Sequence, residues 1–468
     1  MIILNIKANR KKGLALCFMA SLIALSACSS GANTPASGSS NNGTSGEQNS
    51  GGNESGSKVI TVSVVTSNRF LELAKEKYEA ANPGVKIELK QSYVPPQQQA
   101  GSMTMYAFGY DPVAVEKHVA TVNAELMNGN ASDLIMVDTL AYAKYADKKL
   151  LANLQAYMNK EKGFNEEDYY MNIFDALKYK DGLYAIAPNV VTNQWFGNTD
   201  RIKDLKLDPN SWTWAQFSEK LGELAKKGGD PIMGYTPPEM LLSDRIGENL
   251  EQYINWNEKK AGFDTPEFIA LLNEIKAYFD NKIIQEPQQT AGGVGKAIKM
   301  GESMKMKEAF INLKLQRFDS LNFGQMVFEK PELFVPPTED GSKGSSFTAG
   351  MLLAMNEKSK NKDGAWDFLQ FLLSEEMQTA PDLGGLPVNK KAAESQIDAM
   401  TKAGENPLTP ELAEKAKEIV PKMQRFGGIE PKINDIVKEE TALFFKGEKS
   451  AEDVVKSLQN KVTLYMEE

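Results

Sequence analysis

Between Lys58 and Asp138 the sequence switches repeatedly between two periods. "KVITVSVV" (58–65) alternates apolar and polar residues as a strand does. "NRFLELAKEKYEAANPG" (68–84) spaces its apolar residues as a helix and closes on Asn-Pro-Gly. "VKIELKQSYV" (85–94) is a second strand, and "VAVEKHVATVNAELMNGNA" (113–131) a second helix. "SDLIMVD" (132–138) is almost continuously apolar, the signature of a strand buried on both faces in a parallel sheet. A β-α-β-α-β series of this kind requires an α/β layer with helices on both faces of its sheet. Downstream, "AYAKYADKKLLANLQAYM" (141–158) reads as one helix, and "DGLYAIAPN" (181–189) leads into an extended "VVTNQWFGN". The stretch 95–112 between the second strand and the second helix reads as a loop.

The N-terminal segment cannot join that layer. Lys7, Arg10, Lys11 and Lys12 precede an apolar run, "GLALCFMASLIAL", which is too short for a permanent membrane span and has the form of a signal-peptide core. Leu25, Ser26, Ala27 and Cys28 follow, and this order resembles the lipobox of bacterial lipoproteins, in which the cysteine sulfur carries a lipid. Residues 29–57 are rich in Ser, Gly and Asn. They offer almost no apolar area to offset their ordering entropy, so they are expected to form a flexible tether reaching about 30 Å. The expected arrangement is a signal peptide over 1–27, a lipid-bearing Cys28, a tether over 28–57, and a folded body beyond. Cys17 lies in the segment expected to be removed, so the body holds no disulfide and no cysteine-based metal site.

Roughly 410 residues follow the tether, too many for one small core and enough for two lobes. The formal net charge is −9, which argues against nucleic acid and polyanionic ligands. The single histidine, His118, reads as a surface residue of a helix, and it rules out a multi-histidine zinc centre. No phosphate-cradling G-x-x-x-x-G-K-[ST] is present: "TAGGVGK" (290–296) lacks both the spacing and the hydroxyl. There is no G-x-S-x-G and no calcium loop, and one histidine makes a serine triad an unsuitable reading. No cofactor is expected. A glycosidase with paired carboxylates remains the enzymatic alternative, since 62 acidic residues allow such a pair.

Several segments together resemble the extracellular solute-binding lipoproteins of ABC importers, in the sugar-carrying, maltose-binding-protein-like class. They are "LELAKEKYEAANPGVKIEL", "MNGNASDLIMVDTLAYAKYADKKLLANL", "KDGLYAIAPN", "FGNTDRIKDLKLDPNSWTWAQFSEKLGELAKKG", "FTAGMLLAMNEKSKNKDGAWDFLQFLLSEEMQ", "GGLPVNK" and "GEKSAEDVVKSLQNKVTLYMEE". The likeness spans nearly all of the body in order. It departs from the class pattern at Gly197, which stands where a Tyr is usual, and in the length of the 95–112 loop. It implies a two-lobe periplasmic-binding-protein-like fold, each lobe a sheet flanked by helices. Lobe 1 would comprise 58–190 plus 344–386, and lobe 2 would comprise 191–343 plus 387–468. Crossings would fall near Pro188–Gln194, Val335–Ser345 and Leu386–Lys390, and the turn-rich "VPPTEDGSKGSS" supports the middle one directly. It also implies a monomeric, membrane-anchored receptor that closes on a mono- or oligosaccharide and passes it to an ABC permease. A peptide or a polyol is the alternative solute.

A sugar site needs apolar faces for the ring and Asn, Asp, Gln or Arg for its hydroxyls. In open α/β layers ligands sit at the carboxyl ends of strands. That rule selects Ser67, Asn68 and Arg69 after the first strand, Tyr93 after the second, and Asp138 and Thr139 after the third. The first crossing adds Asn189, Asn193 and Gln194, with Trp195 on the same strand face as Asn189 and Asn193. "MGYTPPEM" (233–240) adds Tyr235 and Glu239. The class resemblance adds Phe426, where some members place a stacking aromatic. Each has a structural alternative. Ser67 or Asn68 caps the helix that begins there, Arg69 is a solvated charge, Tyr93 packs its loop, and Asp138 caps the next helix. Trp212, Trp214 and Trp366 read as structural.

Overall fold

The structure is a computed structural model that describes residues 58–66, 68–94, 111–160, 164–226, 232–233, 236–284, 306–342, 344–402 and 407–467. Cys28, the tether, Ser67, Tyr235 and most of the 95–112 loop lie outside the described residues. The chain divides into two units, Met1–Glu54 and Ser55–Glu468. Everything below concerns the second.

The β-α-β-α-β series forms as its periodicity requires. β1 (Lys58–Val64) pairs in parallel with β2 (Val85–Gln91) and with β3 (Leu134–Met136). The helix Arg69–Ala81 joins β1 to β2 and buries Phe70, Leu71, Ala74 and Tyr78. The helix Pro112–Asn128 precedes β3 and buries Ala114, His118, Val122 and Leu126, one stripe at a spacing of four residues. His118 is therefore a core residue and not the surface histidine expected from sequence. Its ring bridges Ser92 Oγ and the Met136 carbonyl, each at 2.8 Å. The carbonyl can only accept, so Nε2 carries the proton and Nδ1 accepts from the serine.

The single helix expected over 141–158 is two, Tyr142–Asp147 and Gln155–Lys160. Lys149 takes a left-handed conformation at φ 56°, and Leu151 leaves the helix to bridge Asn356. The pairing with a distant strand overrides local helical spacing.

β4 (Ile186–Asn198) is the longest strand described. Beyond it come the short hairpin β5 (Ile254–Asn255) and β6 (Lys260–Ala261), then β7 (Phe310–Leu315), β8 (Pro331–Phe334), β9 (Ser345–Met355), β10 (Leu386–Pro387) and β11 (Met423–Phe426). The main sheet runs β10-β4-β9-β3-β1-β2, with β7 and β8 pairing the far end of β4 and β11 pairing β9.

Two apolar cores flank this sheet. The first gathers β1 to β3, the first half of β4, β9 and the helix Lys362–Leu373, whose Ala365, Trp366 and Phe368 are fully buried. The second gathers Trp195 and residues of 202–284 with Phe310, Phe334 and the two C-terminal helices Pro431–Phe445 and Ala451–Glu467. Residues of 388–423, expected in the second lobe, lie in the first core, and the next residue in the second core is Ile433. Gly197 is explained by packing on this strand. A Cβ there would fall 2.3 Å from Ile202 Cδ1 and 2.8 Å from the Phe334 ring.

A buried polar network ties the middle crossing to the second core. Arg245, on the helix Pro238–Glu248, is 2% exposed. Its Nε and Nη2 donate to Glu339 at 2.8 and 2.5 Å, its Nη1 lies 3.4 Å from Glu274, and its guanidinium lies 4.3 Å from the Trp214 ring. Trp214 Nε1 donates to Glu248 Oε2 at 2.8 Å. Burial pushes the Glu248 carboxyl up to about 8, against the pull of Trp214 and Arg245.

The folded state thus holds the Glu248 proton more tightly than the unfolded chain does. The carboxyl's contribution to stability is present at low pH and is lost as pH rises from its ordinary 4.5 through about 8. Glu248→Gln keeps an acceptor for Trp214 and cannot ionise. Its melting temperature should match wild type near pH 5 and exceed it increasingly through pH 8 to 9. Parallel melting profiles over that range would show that Glu248 is not protonated in the folded protein.

Candidate functional site

The strand ends selected from sequence come to quite different places. Asn68 is the N-cap of its helix, with Oδ1 accepting from the Leu71 amide at 3.1 Å, so its side chain is spent on capping. Arg69 is exposed at the start of that helix. Tyr93 is half-buried with Lys117 Nζ 4.9 Å above its ring, which fits the packing role. Asp138 and Thr139 form the turn after β3. The helix Tyr142–Asp147 begins at Ala141 without any side-chain cap, so Asp138 does not serve as one. Asp138 is half-buried there. Thr139 is 4% exposed, and its Oγ1 meets no hydrogen-bond partner among the described residues.

Asn189 is a structural residue. It is 2% exposed, its Nδ2 donates to the Leu383 carbonyl at 2.6 Å, and it fills the space left by Gly350 and Gly385. Trp195 is the clearest correction. Its alternation along β4 holds, but the face it shares with Asn193 is covered by the second core. Its ring packs edge-on against Trp212, Trp214 and Phe217 at 5.7, 5.8 and 5.2 Å. It is core, and no sugar reaches it. Gln194 and Phe196 point to the opposite face of the strand. Phe196 joins the first core, and Gln194 lines a cavity of about 50 Å³ with Leu333, Val335, Ser345 and Ile419. A larger cavity of about 540 Å³ lies beside Lys58, Tyr78 and Asp367. Neither includes Asp138, Thr139 or Asn193, so neither bears on a ligand held at the strand ends.

Asn193 is half-buried on β4, just past the passage between the cores, opposite Lys314 of β7. Its side chain hydrogen-bonds the Asp244 carboxylate on the helix Pro238–Glu248. Burial pushes Asp244 up to about 6, while the Asn193 donor and the Lys314 charge pull it down. The arrangement offers a carboxyl, an amide and an ammonium group within one patch at the strand crossing, a set that suits a polyhydroxylated ligand. The strand-end rule does not select Asp244, because it lies inside the helix Pro238–Glu248. The signal lay in that helix burying Leu241, Leu242, Arg245, Ile246 and Glu248, too wide a stripe for a surface helix. Glu239 is half-buried in the first turn of the same helix. Phe426 ends β11, half-buried, 5.8 Å from Phe347.

Close contacts also hold the helix Pro238–Glu248 and the segment 427–434. Gly247 and Gly427 approach so tightly that a Cβ on Gly247 would fall 2.8 Å from the Gly427 carbonyl. Ser243 Oγ donates to Asn434 at 2.9 Å. Glu430 caps the helix Pro431–Phe445 by accepting from the Ile433 amide at 3.1 Å, and burial raises its pKa.

Residues 98–408, well over half of the chain, match the family of bacterial extracellular solute-binding proteins, and the chain belongs to that family. A search of the curated proteins finds no match. Among solved structures, the ABC substrate-binding protein Lmo0181 from Listeria monocytogenes, in complex with cycloalternan, is 18% identical at a TM-score of 0.57. The match covers 88% of this chain and 99% of that one. The sugar-binding protein MalE from Xanthomonas citri is 15% identical at 0.60, over 88% of this chain and 98% of its own. Maltose-bound MalE3 of T. maritima is 15% identical at 0.54, over 87% and 99%. At these identities the likeness carries the fold, the two-lobe α/β architecture expected from the sequence. Among the described residues no helix is long and apolar enough to cross a membrane, and no cluster of His, Cys, Asp and Glu is suited to a metal.

The Asp244 environment can be measured without knowing the ligand. A carboxyl-carbon NMR titration of Asp244 should give a midpoint near 6. Both Asn193→Ala and Lys314→Met should move it upward, since each removes a group that favours the charged form. A midpoint unmoved in both variants would separate Asp244 from Asn193 and Lys314.

Proposed function

We propose that this chain is a receptor that captures a small extracellular carbohydrate between its two lobes and delivers it to an ABC permease. One observation carries the reading. A single strand, β4, runs from one separately packed core into the other, and a patch of hydrogen-bonding side chains, Asn193 with Asp244 and Lys314, lies where it passes. Two of these neighbours were solved with cycloalternan and with maltose, which supports a carbohydrate over a peptide or a polyol. Asp138 and Thr139 would face the solute from the first lobe, and Asn193 with Asp244 from the second, with Phe426 as an apolar face. Glu239 and Arg69 are further candidates, as are Ser67 and Tyr235, which the sequence alone selects. No bond is made or broken: differential affinity for the closed state drives closure, and the permease reads the closed shape. The body works as a monomer, held to the outer face of the membrane by a lipid on Cys28.

A thermal-shift screen of mono- and oligosaccharides tests the solute class. A sugar at 100 times its dissociation constant should stabilise the protein by about 2.7 kcal/mol. Stabilisation by peptides or polyols alone would replace the sugar with that class, and steady release of shorter sugars on incubation would favour the glycosidase alternative. With a ligand in hand, Asp138→Ala and Asn193→Ala should each weaken binding by about 1–3 kcal/mol, the usual cost of leaving a buried partner unsatisfied.

The anchor is tested separately. Cys28→Ser should move the protein from the membrane fraction to the medium, whereas full retention of the variant would discard the lipid anchor and leave the receptor reading intact.

A further inference from the structure

We infer that Lys144 is a clasp that holds the two lobes together in the absence of solute. This deepens the receptor reading and rests on it. Lys144 lies on the helix Tyr142–Asp147, which packs against the first core through Tyr142, whose hydroxyl donates to the Leu177 carbonyl, and through Tyr145, whose hydroxyl donates to Asn123. Its ammonium group does not stay in that lobe. Nζ donates to the carbonyl of Tyr465 at 2.5 Å and stands 4.0 Å from the centroid of the Tyr465 ring. It also lies 5.7 Å from the Trp256 ring.

Both aromatics belong to the second core. Trp256 sits in the turn of the β5–β6 hairpin, and Tyr465 in the last turn of the helix Ala451–Glu467, their rings 6.4 Å apart and nearly perpendicular. Glu430, also of the second lobe, is hydrogen-bonded by Tyr465 and feels the Lys144 charge. The second lobe thus presents two ring faces, a helix C-terminal carbonyl and a buried carboxyl around one point. Each attracts a cation: the rings through their quadrupoles, the carbonyl through the negative end of a 17-residue helix, and the carboxyl directly. The cage is filled by a side chain from across the seam. The contact joins the two lobes in this structure, and no solute takes part in it. It moves the open–closed balance toward closure and lowers the share of binding energy that a solute must spend on it.

The test omits any ligand, so the sugar screen can fail without affecting it. In the full chain with Cys17 and Cys28 replaced by serine, spin labels go on Met127→Cys and Leu443→Cys, exposed positions on helices of the first and second lobes. Pulsed electron resonance should give one narrow interlobe distance in the otherwise unaltered chain. Lys144→Met should shift it to a longer, broader distribution. Trp256→Leu should do the same, and the double variant should go no further than either. An unchanged distribution in Lys144→Met overturns the clasp. So do shifts that simply add in the double variant, because Lys144 and Trp256 would then act apart.

Discussion

The structure depends on β4 being common property. Its first half pairs with β9 and β10 beneath the first core, and its second half pairs with β7 and β8 against the second. Past the passage, its alternating side chains divide between the cores: Trp195 goes to one and Phe196 to the other. A strand used in this way cannot slip by one residue without sending an indole into the wrong core and Asn193 away from Asp244. Register therefore positions the candidate site as much as any local contact does.

The other passages are held by different means. The middle one has no periodic structure of its own, and Arg245 fixes it by reaching from the second core to Glu339. A buried guanidinium with two carboxylates and an indole face is a costly arrangement to assemble and a costly one to break. Asn189 performs the neutral counterpart on β4, pinning the strand to the Leu383 carbonyl. The first and middle crossings are thus each anchored at one end. Under the proposed closure, bending would fall to the short spans beside these anchors.

Much of the fold could be read from the sequence because it is local. The periods of β1, β2 and β3 placed them in one parallel layer, and Trp366 is buried as its structural reading expects. What failed was non-local. The break at Lys149 follows from Leu151 finding Asn356, two hundred residues away in the chain. Trp195 was on the face expected, but which core covers that face is decided by residues 202–284 folding over it. Asp244 was passed over because acidic residues on helices are usually solvated, and its neighbours on the second lobe decide otherwise. His118 is the instructive miss. It lies four residues from Ala114 and from Val122, in the stripe that faces the sheet, and residue type was allowed to outweigh position.

That histidine is also the sole imidazole in the chain. Its ring sits between the end of β2 and the carbonyl of Met136, and burial lowers its pKa and so keeps it neutral. Its ring signals consequently need no assignment among histidines. Any event that parts β3 from the helix above it must exchange a carbonyl partner for water and displace that one signal. The first lobe carries, without engineering, an intrinsic gauge of its own integrity, placed one turn of chain from Asp138 and Thr139.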